Sequence, residues 1–102
     1  MTETIRHMET LYRQAAPAVE QLSAALEAYE AALPLLKELS DWYNSPQWLA
    51  AYEADEQGLL PKDLLRGVLA QDTLYDLFCQ QSELLKQMKS LTKENDDAIP
   101  QG

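Results

Sequence analysis

From Ile5 onward the chain alternates apolar and polar positions with a helical period. Ile5, Met8, Tyr12, Ala15, Val19, Leu22, Leu26, Tyr29, Leu33 and Leu36 follow one another at spacings of three and four, and Ser40 and Tyr43 continue the register. Such a stripe, sustained over more than five heptads, predicts one long helix over about 3–43. A second row lies beside it at every seventh residue, Leu11, Ala18, Ala25, Ala32 and Leu39. The apolar face is therefore wider than a two-stranded seam and is expected to be buried against more than one neighbouring helix. The alanines in the second row would permit close approach.

Pro17 and Pro34 fall inside this segment. An interior proline removes a backbone hydrogen bond and crowds the preceding turn, at roughly 3 kcal/mol. Neither is preceded by a capping residue, since Ala16 and Leu33 stand before them, and the apolar register passes through both unshifted. They read as kinks on the solvent side rather than breaks. A straight helix of about 40 residues would span ~60 Å, far more than a compact domain of this size. Either it bends or its end packs on another chain, so a homodimer is one partner its length allows.

After this helix the signals are local. Ser45 is a good N-cap and Pro46 a good first helical residue, predicting a short helix over about 46–57 with Gly58 as its stop. Pro61 opens one more turn, closed by Gly67, and the segment between the two glycines is a corner. Asp72 is expected to cap a last helix over about 73–94, on which Leu74, Phe78, Gln81, Leu85 and Met88 form a stripe with Leu77, Leu84 and Leu91 alongside. Lys86, Lys89 and Lys93 suit its C-terminal dipole. The reading is all-α: a small antiparallel helical bundle with a long Pro-kinked first helix, a short helix, a corner and a long last helix. It forms a single helical domain over 1–95, with a frayed tail over 96–102.

Composition narrows the function classes. With 102 residues the chain has room for one core. Seventeen acids against eight bases give a net charge of −9. That argues against nucleic acid, which is held by cations on phosphate, and against an anionic membrane surface. One cysteine, Cys79, excludes an internal disulfide and a multi-cysteine zinc site, and one histidine, His7, argues against a catalytic triad. No metal, cofactor or catalytic constellation is expected. No apolar run approaches the ~20 residues that span a bilayer, and "MTETIRHMET" lacks the apolar core of a signal peptide. The expected location is the cytoplasm.

From Trp48 onward the residues resemble a family. Trp48, Leu49, Tyr52, Glu53 and Asp55 form a W-L-x-x-Y-E-x-D helix. Gly58, Leu60, Pro61, Asp63, Leu64, Arg66, Gly67, Val68 and Leu69 form a G-x-L-P-x-D-L-x-R-G-V-L corner. Asp72, Leu74, Tyr75, Asp76 and Leu77 open the last helix as D-x-L-Y-D-L. Together they resemble a bacterial family of small acidic helical proteins known as a domain of unknown function. The resemblance implies the helix–helix–corner–helix order and brings no activity, substrate or ligand.

The candidate binding or corner residues are Trp48, Tyr52, Asp55, Arg66, Asp72 and Tyr75. Arg66 precedes a glycine at a tight corner, where Asp55 or Glu53 would hold it in a bidentate bridge; alternatively Arg66 awaits an anionic ligand. Glu53, Asp55, Glu56 and Asp63 lack the spacing of a calcium loop and read as a solvated acidic helix end. Trp42, Tyr43, Trp48 and Tyr52 place four of the eight aromatics within eleven residues, either plugging the end of the fold or offering a surface to a partner. Cys79 reads as a small buried or half-buried residue. Three functions fit. The first is a non-catalytic interaction module that binds another protein or itself. The second is a small-ligand module or cryptic enzyme at the Tyr52–Tyr75 corner. The third is an acidic inhibitor that mimics nucleic acid. The missing catalytic constellation favours the first.

Overall fold

The computed structural model describes residues 1–95. Among them are three α-helices and no strand: α1 (Thr2–Tyr43), α2 (Pro46–Glu56) and α3 (Thr73–Asn95), with a single 3-10 turn at Gly67–Leu69. The chain is thus all-α with a long first and a long last helix, as its periodicity predicts. The tail expected over 96–102 lies outside the described residues. The chain divides into two compact units, residues 1–38 and residues 39–102.

The first unit is one uninterrupted helix. α1 runs through both prolines, so neither is a break. Its apolar rows have nothing within the unit to pack on, because a single helix cannot bury its own stripe. No residue of α1 is buried, and within this unit the face expected to be covered has no neighbour: Ile5 is 61% exposed, Tyr12 66%, Val19 67% and Leu22 54%.

The second unit carries the buried core. The 3-10 turn packs against both α2 and α3, and the buried side chains are Leu69 from that turn and Leu74 from the first turn of α3. Local hydrogen bonds shape the way in. The N–H of Asn44 and its side-chain amide both donate to the Ser40 carbonyl, at 3.0 and 2.8 Å. Ser45 stands at the N-cap of α2 with extended backbone, but no cap hydrogen bond is made. Its hydroxyl turns back and donates to the Trp42 carbonyl at 2.6 Å. The orphan carbonyls ending α1 compete for this hydroxyl with the orphan N–H groups opening α2, and the carbonyl wins. Pro46 begins α2 as expected and needs no donor there.

α2 ends in a Schellman motif. The N–H of Leu59 donates to the Ala54 carbonyl at 2.9 Å and that of Gly58 to the Asp55 carbonyl at 3.0 Å, with Gly58 left-handed at φ 72°. Gly67 differs from expectation. It opens the 3-10 turn without a positive φ, and a Cβ there would meet open space. The turn opened by Pro61 closes at once, with the N–H of Leu64 on the Pro61 carbonyl at 3.2 Å, and the helical turn comes later, at Gly67–Leu69. Asp72 precedes α3, its carbonyl accepting the N–H of Asp76 at 2.8 Å.

These two glycines separate cleanly by experiment. Gly58→Ala forces an L-residue into the left-handed region and is expected to lower stability by about 1 kcal/mol. Gly67→Ala adds a methyl group to open space at an ordinary φ and is expected to be neutral within ~0.5 kcal/mol. Urea denaturation of the two variants beside wild type checks both.

Candidate functional site

The corner is closed by one side chain. Arg66 sits at the start of the 3-10 turn, half-buried, and its three nitrogens point in three directions. Nη1 donates to Oδ1 of Asp55 on α2. Nη2 donates to the Pro61 carbonyl, and Nε to the Leu64 carbonyl at 3.3 Å. The choice left open between Glu53 and Asp55 falls to Asp55: its side chain is 26% exposed, whereas Glu53 is exposed. The expected bidentate fork on the carboxylate is replaced by a wider grip, one bond to Asp55 and two to the carbonyls of the loop. A guanidinium suits this because its donors lie fixed in one plane. The arrangement holds the loop over 61–66 against the end of α2 as a clasp, each nitrogen of Arg66 donating to one acceptor of the chain.

Beside the clasp lies an aromatic cluster. Trp48 and Tyr52, one turn apart on α2, stack at 5.4 Å between ring centroids and 21° between planes. Tyr43, at the end of α1, meets Trp48 edge-on at 5.0 Å and Phe78 of α3 at 5.9 Å. The indole N–H of Trp48 donates to the Val68 carbonyl of the 3-10 turn at 3.0 Å. These rings therefore tie α2 and α3 to the turn that carries Leu69. Phe78 was foreseen only as part of the α3 stripe. Its place opposite Tyr43 has a faint sequence signal, an aromatic residue one turn beyond Leu74.

The remaining candidates make none of the Arg66 bonds. Asp72 is exposed at the start of α3. Tyr75 is 57% exposed, and its hydroxyl pairs with Cys79 one turn on. Cys79 itself is exposed, not buried or half-buried as expected. Tyr52 pairs with Glu56 on α2. Of the carboxylates at the end of α2, Asp55 is thus committed to Arg66 and Glu56 to Tyr52. No group of three or more His, Cys, Asp or Glu side chains among the described residues could hold a metal ion. No helix among them is long and apolar enough to cross a membrane.

Two phenols are held in their neutral form. The hydrogen bond to Glu56, and then the negative charge of that carboxylate, raise Tyr52 above 10.0. Tyr75 is raised likewise, first by its hydrogen bond to Cys79. A raised folded-state value means that the Tyr52–Glu56 contact contributes fully below pH ~10 and is lost as pH climbs through the raised value.

Arg66→Ala removes the grip on both loop carbonyls and leaves Asp55 unpaired, and is expected to cost about 1–2 kcal/mol, the partial exposure of the pair keeping the figure modest. Glu53→Ala in the same denaturation assay is expected to be neutral within ~0.5 kcal/mol. In an alkaline titration followed by tyrosinate absorbance, Glu56→Gln is expected to bring one phenol down toward 10.0 relative to wild type. An unchanged titration would show that Tyr52 does not bond Glu56.

Residues 5–91 match the family model of a domain of unknown function, DUF4298, and the chain belongs to that family. No curated protein and no solved structure matches it.

Proposed function

We propose that this DUF4298 chain is a cytoplasmic, non-catalytic protein-interaction module that binds its partner along α1. The single observation that carries the reading is the open apolar stripe. It keeps a coiled-coil spacing from Ile5 to Leu36, yet no residue of α1 is buried. Monomeric proteins rarely leave a contiguous apolar surface of this length in water, and where they do it marks an interaction site. A helical groove or a second helix is the partner such a stripe fits, with anchors at every third and fourth residue. The corner supports the same reading by what it is occupied with. Arg66 gives one bond from each nitrogen to Asp55 and two loop carbonyls, which supports a structural part for it over a ligand-binding one. Binding then falls to the helix.

A photoreactive phenylalanine derivative tests this in cells that produce the protein. At Tyr12 or Val19, on the stripe, it is expected to yield covalent adducts with protein. At Ala24, off the stripe and exposed, it is expected to yield few. Adduct formation at neither stripe position would overturn the reading.

A further inference from the structure

Resting on that reading, we infer that the partner of α1 is a second copy of α1, turned end for end. The area fits. Eight large apolar side chains on the two rows between Ile5 and Leu33 are 37–67% exposed. Covering them would remove on the order of 800 Å² per chain, the share each partner gives to a standard interface.

The arrangement of charge selects the orientation. With Ile5 at position a of a heptad abcdefg, position d holds Met8, Ala15, Leu22, Tyr29 and Leu36, and position g holds Thr4, Leu11, Ala18, Ala25, Ala32 and Leu39. No acid, lysine or arginine occupies g or its neighbour c. The charges collect at e, b and f, with Glu9, Glu30 and Lys37 at e and Arg6, Arg13, Glu20 and Glu27 among those at b. The helix therefore has one neutral, small-residue edge and one charged edge. A parallel pair lays g of one copy against e of the other, setting the alanine row beside Glu30 and Lys37. Turning one copy end for end lays g against g and e against e. Alanine then faces alanine at close approach, and the charged edges meet in water, Glu9 facing Glu30 of the second copy where salt screens the pair.

Charge along the axis points the same way. Residues 2–19 carry Glu3 and Glu9 against Arg6 and Arg13, net zero. Residues 20–41 carry Glu20, Glu27, Glu30, Glu38 and Asp41 against Lys37, net −4. A parallel pair would set −4 beside −4, whereas the antiparallel pair sets each acidic half beside a neutral one and brings Arg13 to the level of Glu27 and Glu30 of the second copy. Antiparallel helix dipoles add in the same sense. The register that pairs every stripe position sets Ile5 against Leu36, Met8 against Leu33 and Val19 against Leu22 of the second copy.

Light scattering across a dilution series tests the pairing on the full chain. The expected mass is twice 11.6 kDa, falling to one chain in Val19→Glu and unchanged in Ala24→Glu. Near-ultraviolet circular dichroism of the Tyr43–Trp48–Tyr52 cluster should stay constant and so show that the residue 39–102 unit remains folded. Orientation is read by disulfide formation in a Cys79→Ser background. Met8→Cys mixed with Leu33→Cys is expected to give the mixed disulfide, and neither alone a disulfide dimer. A monomer at every concentration, a mass above two chains, a dimer insensitive to Val19→Glu, or a disulfide dimer from Met8→Cys alone would each overturn the inference. The photo-cross-linking separates its failure from that of the broader reading. Adducts only with other proteins leave an interaction module without self-pairing, whereas absent adducts remove the module itself.

Discussion

A guanidinium carries its N–H donors in a fixed plane, and at the corner of this chain each of the three Arg66 nitrogens is met by the chain itself. Asp55 arrives from α2, and the carbonyls of Pro61 and Leu64 from the loop. That grip decides where the loop after Gly58 lies, and so where the 3-10 turn begins. The turn in turn supplies Leu69 to the core and the Val68 carbonyl to Trp48. α3 follows within a few residues, with Leu74 as the other buried side chain. The small core of the residue 39–102 unit is thus assembled around a loop that one cation holds shut, with the aromatic cluster closing one side.

Residues 1–38 are governed by a different constraint. A helix gains its stability in a protein chiefly by burying one face, and within this unit there is no second element to bury it against. The sequence nonetheless maintains the stripe through two prolines, each of which removes a backbone bond. Both stand off the stripe at exposed positions, so the interruptions fall where a packed face would not feel them. The seam is thus continuous while the outer side of the helix is interrupted.

Reading the corner from residue types reached the right neighbourhood and sometimes the wrong neighbour. Asp55 and Glu53 stood at comparable distances in sequence from Arg66, and only the direction of each around α2 separates them. Gly58 and Gly67 looked alike as hinges, but the hydrogen bonds of Leu59 and Gly58 to α2 demand a left-handed residue at the first and nothing of the kind at the second. Ser45 had the chemistry of an N-cap and used it on the helix behind it. Cys79 lay beside the α3 stripe and still came out exposed. For Arg66 and Ser45 two partners satisfied the same local preference.

What the sequence determined by itself were features set within one or two turns of backbone. These are the three helices and their ends near Tyr43, Pro46, Glu56 and Thr73, the continuity of α1 through its prolines, and the breaks at Gly58 and Pro61. Periodicity, proline and glycine act through neighbouring dihedral angles and i to i+4 hydrogen bonds, so they are legible without knowing what lies elsewhere. Only the tertiary structure decided the three-way grip of Arg66, the meeting of Tyr43 with Phe78, and the burial of Leu69 and Leu74 in preference to the many leucines of α1 and α3. Asp55 lies eleven residues from Arg66 and Tyr43 stands on the far side of α2 from Phe78 in sequence, so these meetings depend on separate segments arriving at one place. Residue spacing carries the period of a helix but not the position of the next one.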